Sequence, residues 1–429
     1  MKKKKIVGLV GISVVSLGLF AGCGNAKDEN ESVDDTVTIR MSWWGNDDRH
    51  KATLEAIRAF EEKHPTIKVK AEYSGWDGMV EKMTTQIAGG TEADLMQINY
   101  DWYQTFSPNG EGFYDLNELN NIIDFSGYSQ EALSTATIEN KLNGIPHGEN
   151  SFVIGLNKTT FEKFGVELPE TWEDYIKAAE AFDEGYYPIA TGGFNMIITY
   201  LSQKTGESFL DEEGNINYTE ADLIEGINWY QDLIDNQVLP TKKEQIETMG
   251  TAHASTIKEF IEGNYAGITE WTGGLASYAQ VLEEADQELV IPTYPEIEDA
   301  VTTGVIKKPT MLFSVSKNTK YPEEAAKLLD FLLNDPEGVR LMGTARGIPV
   351  NTKAVEILEE DGQINGIALA AKEYQQNTEG IVSSPYLGMA SIMEAYNSPL
   401  ESFELGQIDA QTAAREIIEQ VESVISDIK

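Results

Sequence analysis

Residues 37–45 read VTIRMSWWG, residues 60–73 read FEEKHPTIKVKAEY and residues 80–98 read VEKMTTQIAGGTEADLMQI. Val37, Ile39 and Met41 alternate with polar residues, the period that turns one face of a strand toward a core. Trp43-Trp44-Gly45 ends that strand. Leu54, Ile57 and Phe60 then recur at helical spacing up to His64-Pro65, where proline, lacking an N–H, stops the helix. Ile67, Val69, Ala71 and Tyr73 alternate again, and Val80, Met83 and Ile87 mark a second helix closed by Gly89-Gly90. Asp94-Leu95-Met96-Gln97-Ile98 makes a third strand. Strand, helix, strand, helix, strand at this spacing demands crossovers between parallel neighbours, so the fold class is α/β.

The pattern continues downstream with longer helices. Thr171 caps a helix carrying Trp172, Tyr175, Ile176, Ala179 and Phe182, with Asp174 at the capping-box position. Thr219 and Asp222 repeat the arrangement before Leu223, Ile227, Tyr230 and Ile234. Met311-Leu312-Phe313-Ser314-Val315 reads as a buried strand, and Pro322 opens a helix that stops at Asn334-Asp335-Pro336. A mature chain of about 400 residues exceeds a single hydrophobic core, so two lobes are expected.

Upstream, Met1 and Lys2 to Lys5 precede an apolar run from Ile6 to Gly22. A basic start, an apolar stretch and small residues at a cut site make a secretory signal peptide, and the run is shorter than the roughly 20 residues that span a bilayer. Leu19-Phe20-Ala21-Gly22-Cys23 resembles the lipobox of bacterial lipoproteins. That resemblance implies cleavage after residue 22 and acylation of Cys23, with palmitate-type chains holding the protein at the extracellular face of a bacterial, Gram-positive cell membrane. Gly24 to Thr36 is acidic and polar and reads as a disordered tether over residues 23–36. Cys23 is the one cysteine, so no disulfide forms within the chain.

Lys and Arg number 32 against 71 Asp and Glu, a net charge of −39, and loss of residues 1–22 removes four lysines and leaves −43. Such a surface repels phosphate backbones and anionic lipid, which excludes nucleic acid and leaves the lipid anchor as the only membrane contact. His50, His64, His147 and His253 are far apart and no metal-ligand spacing occurs. Asp211-Glu212-Glu213-Gly214-Asn215 lacks the spacing of a calcium loop and reads as an acidic turn. No phosphate loop and no nucleophile elbow is present, so neither cofactor nor enzymatic activity is expected.

The order of pieces resembles the family 1 extracellular solute-binding proteins of carbohydrate ABC importers, the group that includes maltose-binding protein. The landmarks are Trp43-Trp44-Gly45, then Phe60 to Val69, Ile87-Ala88-Gly89-Gly90 with Ala93-Asp94-Leu95, and Gly144-Ile145-Pro146. Leu156-Asn157-Lys158, Leu168-Pro169-Glu170-Thr171-Trp172 and Gly347-Ile348-Pro349-Val350 complete them. The resemblance implies two α/β lobes joined by a hinge, with a ligand cleft between them. The N-terminal lobe is expected over residues 37–146 plus about 290–343, and the C-terminal lobe over about 147–289 plus 344–429. The crossings are then near Gly144 to Glu149, Leu289 to Thr293 and Gly343 to Pro349. It further implies a monomeric receptor that delivers an oligosaccharide to separate permease subunits and a separate ATPase.

Trp43, Trp44, Trp76 and Trp102 each fall near the C-terminal end of a strand, the end that faces the crevice in open α/β sheets. An aromatic plane buries the C–H face of a pyranose, while carboxylates, amides and guanidinium groups bind its hydroxyls. Trp44, Asp47, Arg49, Trp76, Asp101 and Trp102 supply that mixture from the first lobe. By the resemblance, Asn150 and Trp271 form the opposing wall, with Arg346 before Gly347-Ile348-Pro349 and, more weakly, Tyr386. Trp172 and Trp229 sit in helical repeats and read as core. A surface-anchored glycoside hydrolase or lyase is the alternative, because such an enzyme needs only two carboxylates and the chain holds 71 acids. A protein-binding adhesin or co-receptor is a third class. Whether the sugar is neutral or acidic stays open.

Overall fold

The computed structural model describes residues 36–76, 78–250, 252 and 254–428. Cys23, the signal peptide, all but the last residue of the 23–36 tether, Asp77 and His253 lie outside the described residues. Twelve strands are described, in chain order β1 (Val37–Trp44), β2 (Ile67–Ser74), β3 (Leu95–Ile98), β4 (Thr137–Ile138), β5 (Lys141–Leu142), β6 (Ile145–Pro146), β7 (Glu149–Asn157), β8 (Gly267–Trp271), β9 (Leu289–Val290), β10 (Ile306–Pro309), β11 (Leu312–Val315) and β12 (Ile381–Val382). One sheet runs β2-β1-β3-β11-β6, with β1 parallel to both neighbours and β11 antiparallel to β3 and β6. A second runs β12-β10-β7-β8, with β9 also paired to β7. The short hairpin β4-β5 stands apart.

The first sheet forms where the alternation placed it. Ile39, Met41 and Trp43 are fully buried on one face of β1, and Ser42 and Trp44 are covered on the other. The crossover helix Asp47–Lys63 begins at Asn46, whose side chain accepts from the Arg49 N–H, and Asp47 and Asp48 lie in its first turn, where the helix dipole favours anions. It buries Ala56, Ile57 and Phe60 and ends at His64. The helix Met79–Ala88 returns the chain to β3. Both expected capping boxes form: Thr171 with Asp174 opens Trp172–Ala181, and Thr219 with Asp222 opens Glu220–Asp235.

Two large hydrophobic cores result, with a small third cluster around Val339 and Leu358. The first gathers Ile39, Trp43, Phe60, Ile98, Phe313 and Phe331, and the second gathers Ile154, Phe161, Trp172, Tyr230, Phe260 and Ile417. The chain first passes between them at β6 and β7, from Ile145 to Phe152. Its return differs from expectation. Tyr294, Val305 and Ile306 belong to the second core, so residues 290–306 lie with that lobe and the chain recrosses at Pro309–Met311 rather than at Leu289–Thr293. The cause is Gln203, whose amide donates to the carbonyls of Pro295 and Thr303, both at 2.9 Å, and ties this loop down.

Residues 344–364 likewise stay with the first lobe. The helix Thr352–Glu360 packs Val355 and Leu358 with Val339, and Asn351 donates to the Leu333 carbonyl at 3.0 Å. The last crossing therefore falls between Ile364 and Tyr374, not at Gly343–Pro349.

Candidate ligand-binding cleft

The C-terminal ends of β1, β2 and β3 bring three tryptophans together. Trp44 and Trp102 meet at 4.9 Å between ring centroids, Trp44 and Trp76 at 5.3 Å, and Trp76 stacks on Trp102 at 5.5 Å. Trp76 is 52% exposed, whereas Trp44 and Trp102 are 6% and 7% exposed. The two covered rings hold the third as an open aromatic platform. Trp43 points the other way, as strand alternation requires. It is fully buried, stacks on Tyr73 at 4.9 Å and donates its indole N–H to His50 Nδ1 at 3.1 Å.

Arg49 lies across the end of β1. Its Nε donates to the Ala345 carbonyl at 3.0 Å and its Nη1 to the Trp44 carbonyl at 3.2 Å. A side chain on Gly45 would strike Arg49 Cδ at 2.5 Å, so glycine there admits the arginine. Burial pulls the guanidinium below its ordinary pKa, and no carboxylate offsets that pull. Asp47 is not brought to the tryptophans; it lines a separate groove with His50, Leu54 and Tyr73.

Arg346 is only 2% exposed. Its Nε donates to Gln97 Oε1 at 2.8 Å, its Nη2 is buried without a hydrogen-bond partner, and Gln97 in turn reaches the Trp44 carbonyl at 3.3 Å. Burial, then the charge of Arg49, drives its pKa far down. The guanidinium is thus buried against Gln97 rather than open to solvent.

Asp101 is buried too. Asn99 Nδ2 donates to it at 3.0 Å; burial raises its pKa, and Lys308 and that hydrogen bond oppose the rise. Asn150, on β7, accepts from the Gly273 N–H at 2.9 Å. A side chain on Gly273 would meet that oxygen at 2.7 Å, so the glycine admits Asn150, which fixes the turn after Trp271. Trp271 ends β8, edge-on to Phe152 at 5.6 Å. Tyr386 is covered within the second core, and Trp172 and Trp229 are core or packed against it.

Seven further residues escaped sequence reasoning. Lys308, on β10 opposite Asn150, holds its ammonium 4.2 Å from the Trp271 ring centroid and makes no ion pair among the described residues. Thr191, Gly193, Asn195, Met393 and Asn397 join Trp271 around a recess of about 280 Å³ in the second lobe. Glu270 accepts from the Trp271 N–H at 2.7 Å. A larger groove of about 510 Å³ lies on the hinge; Lys308 lines it too, beside Lys307, which pairs with Glu149, and Lys372, which pairs with Glu359. Among the described residues no cluster of acids and histidines can hold a metal, and no helix is long and apolar enough to cross a membrane.

A sequence model of the bacterial extracellular solute-binding proteins matches residues 46–339. A periplasmic solute-binding protein of Pectobacterium atrosepticum is 34% identical, superposes with a TM-score of 0.86, and aligns over 92% of this chain and all of its own. A periplasmic oligogalacturonide-binding protein of Yersinia enterocolitica, solved with saturated digalacturonic acid, is 33% identical with a TM-score of 0.82 over 91% of this chain and 99% of its own. A multiple sugar-binding protein of Streptococcus mutans is 32% identical over 190 residues, 42% of this chain and 41% of its own. With two α/β cores, an aromatic-walled cleft and these relatives, the chain belongs to the family of bacterial extracellular solute-binding proteins.

Proposed function

We propose that this chain captures an oligosaccharide bearing carboxylates, an oligouronide, in the cleft between its lobes and hands it to ABC permease subunits driven by a separate ATPase. The observation that carries this is the pair of cations that make no ion pair among the described residues, Arg49 beside the tryptophan platform and Lys308 over Trp271, where Asp101 is the carboxylate that feels the Lys308 charge. The chain has 71 acids for 32 bases, and basic residues elsewhere pair readily: Arg40 with Glu72 at 2.9 Å, Arg340 with Asp361 at 2.8 Å. Leaving a half-buried cation unpaired costs free energy, which a ligand carboxylate recovers. Trp76, held by Trp44 and Trp102, and Trp271 offer faces for sugar rings. The Yersinia relative, bound to digalacturonic acid, supports the same chemistry.

In this reading Cys23 carries the lipid anchor at the extracellular face of a Gram-positive membrane, and the receptor works as a monomer. Titration calorimetry with digalacturonate and with neutral oligosaccharides of equal length tests the ligand. Heat and a raised melting temperature with the uronide alone are expected, since a ligand that binds only the native state stabilises it. Binding of neutral sugars with no response to digalacturonate would sink the acidic assignment. Incorporation of labelled palmitate, lost in Cys23→Ser, tests the anchor.

A further inference from the structure

The turn after β3 reaches across to the second lobe. Tyr100 and Trp102 belong to the first core, whereas Tyr386 and Leu387 belong to the second. Between these segments the Tyr100 hydroxyl donates to the Ser383 carbonyl at 3.4 Å. One residue on, the Asp101 carboxylate lies so near Gly388 that a Cβ there would stand 2.3 Å from Oδ2 and 2.4 Å from both Cγ and Oδ1. All three distances are below any real contact. The backbone of Gly388 is not in the left-handed region, so its conformation does not demand glycine. Only the close approach of Asp101 does.

Asp101 is 6% exposed and its hydrogen bond comes from Asn99, in its own turn. The charged and titratable groups around it are Lys308 on β10, Tyr396 on the helix Ala390–Glu404 and the adjoining Tyr100. Because Asp101 and Gly388 ride on different cores, a hinge motion at the three crossings separates them. The contact belongs to the approached lobes.

We propose that Gly388 is a positioning residue for ligand capture: its bare backbone receives the Asp101 carboxylate as the lobes close, and a side chain at 388 holds them apart. This rests on the reading of the chain as a two-lobed receptor, but not on the acidity of its ligand. A 2.3 Å approach opened to ordinary contact shifts the facing walls by about 1 Å, enough to lose contacts that both lobes make to one ligand.

Gly388→Ala and Asp101→Ala, alone and together, form the test, with digalacturonate and a neutral oligosaccharide of equal length as the two probes. Gly388→Ala is expected to weaken binding on the order of tenfold. Its ligand-free melting temperature stays at the wild-type value, and ligand-induced compaction in small-angle scattering shrinks. In the Asp101→Ala background the same substitution is expected to cost little, because the carboxylate it would strike is gone. Wild-type affinity in Gly388→Ala overturns the proposal, as does an equal loss in both backgrounds. A wild-type chain that binds only neutral sugars removes the oligouronide reading and leaves this test intact.

Discussion

His147 lies in the first crossing, buried beside two arginines. Burial, then the charges of Arg346 and Arg49, pushes its pKa down from 6.5 to about 3. The folded state therefore refuses a proton that the unfolded chain accepts below about pH 6.5, so stability is complete above that value and falls as pH drops toward 3. Between pH 7.5 and 4.5 the wild type should lose about 3 kcal/mol more than His147→Gln in urea unfolding. Parallel losses would show that His147 is protonated in place. Lys308 gives the matching functional experiment. Lys308→Met keeps an unbranched stem over Trp271 and removes the charge, so affinity for digalacturonate should fall on the order of tenfold while any affinity for a neutral oligosaccharide stays put. Equal losses for both ligands would make Lys308 a packing residue. The grouping of Trp44, Trp76 and Trp102 was legible in the sequence because each stands at or just after the C-terminal end of a strand, and β1 runs parallel to β2 and β3. Lys308 was not, since nothing local marks a lysine before a proline as the cation that covers Trp271. Arg346 illustrates the converse: its place in the chain gave no sign that the side chain lies buried against Gln97 and Phe313.

At the scale of elements, the readable features are those closed within a few residues. A capping box joins positions three apart, and Thr219 with Asp222 forms one in both directions, with Oγ1 accepting at 3.2 Å and the carboxylate accepting from the Thr219 N–H at 2.8 Å. Thr219→Ala should cost about 1 kcal/mol, and Thr219→Ser, which retains the oxygen, much less. Chemical denaturation at neutral pH separates them, and equal stability of all three chains would place the cap outside the energetics of that helix. Thr241 with Glu244 obeys the same rule and was equally open to reading. The strands β6, β10 and β12 were not, because two to four residues cannot establish a period and their partners lie far away in sequence. Of these, β6 and β10 lie at the first two crossings, and the two later crossings fall away from their expected places while the βαβαβ start came out in place. Gln203 shows the physical reason: one amide, binding carbonyls 92 and 100 residues away, decides which lobe owns a loop.

The whole molecule poses an electrostatic question that neither residue nor element answers. The chain carries a net charge of −39, yet the proposed ligand is an anion. At long range the protein repels it, and within the cleft Arg49 and Lys308 attract it. Salt separates the two effects because they act over different distances. The screening length is about 30 Å at 0.01 M and about 10 Å at 0.1 M, so added salt removes the global field first and reaches half-buried cations last. Association of digalacturonate should therefore quicken as ionic strength rises over that range, the reverse of a steered encounter, while dissociation changes little. Stopped-flow fluorescence reads both rates, since Trp76 stands 52% exposed on the platform where a sugar ring would settle. A slower association at higher salt would mean that the cleft focuses positive potential beyond its mouth and outweighs the acidic surface. In that case the two unpaired cations act as a lure as well as a lock, and Lys308→Met should slow capture as much as it hastens release.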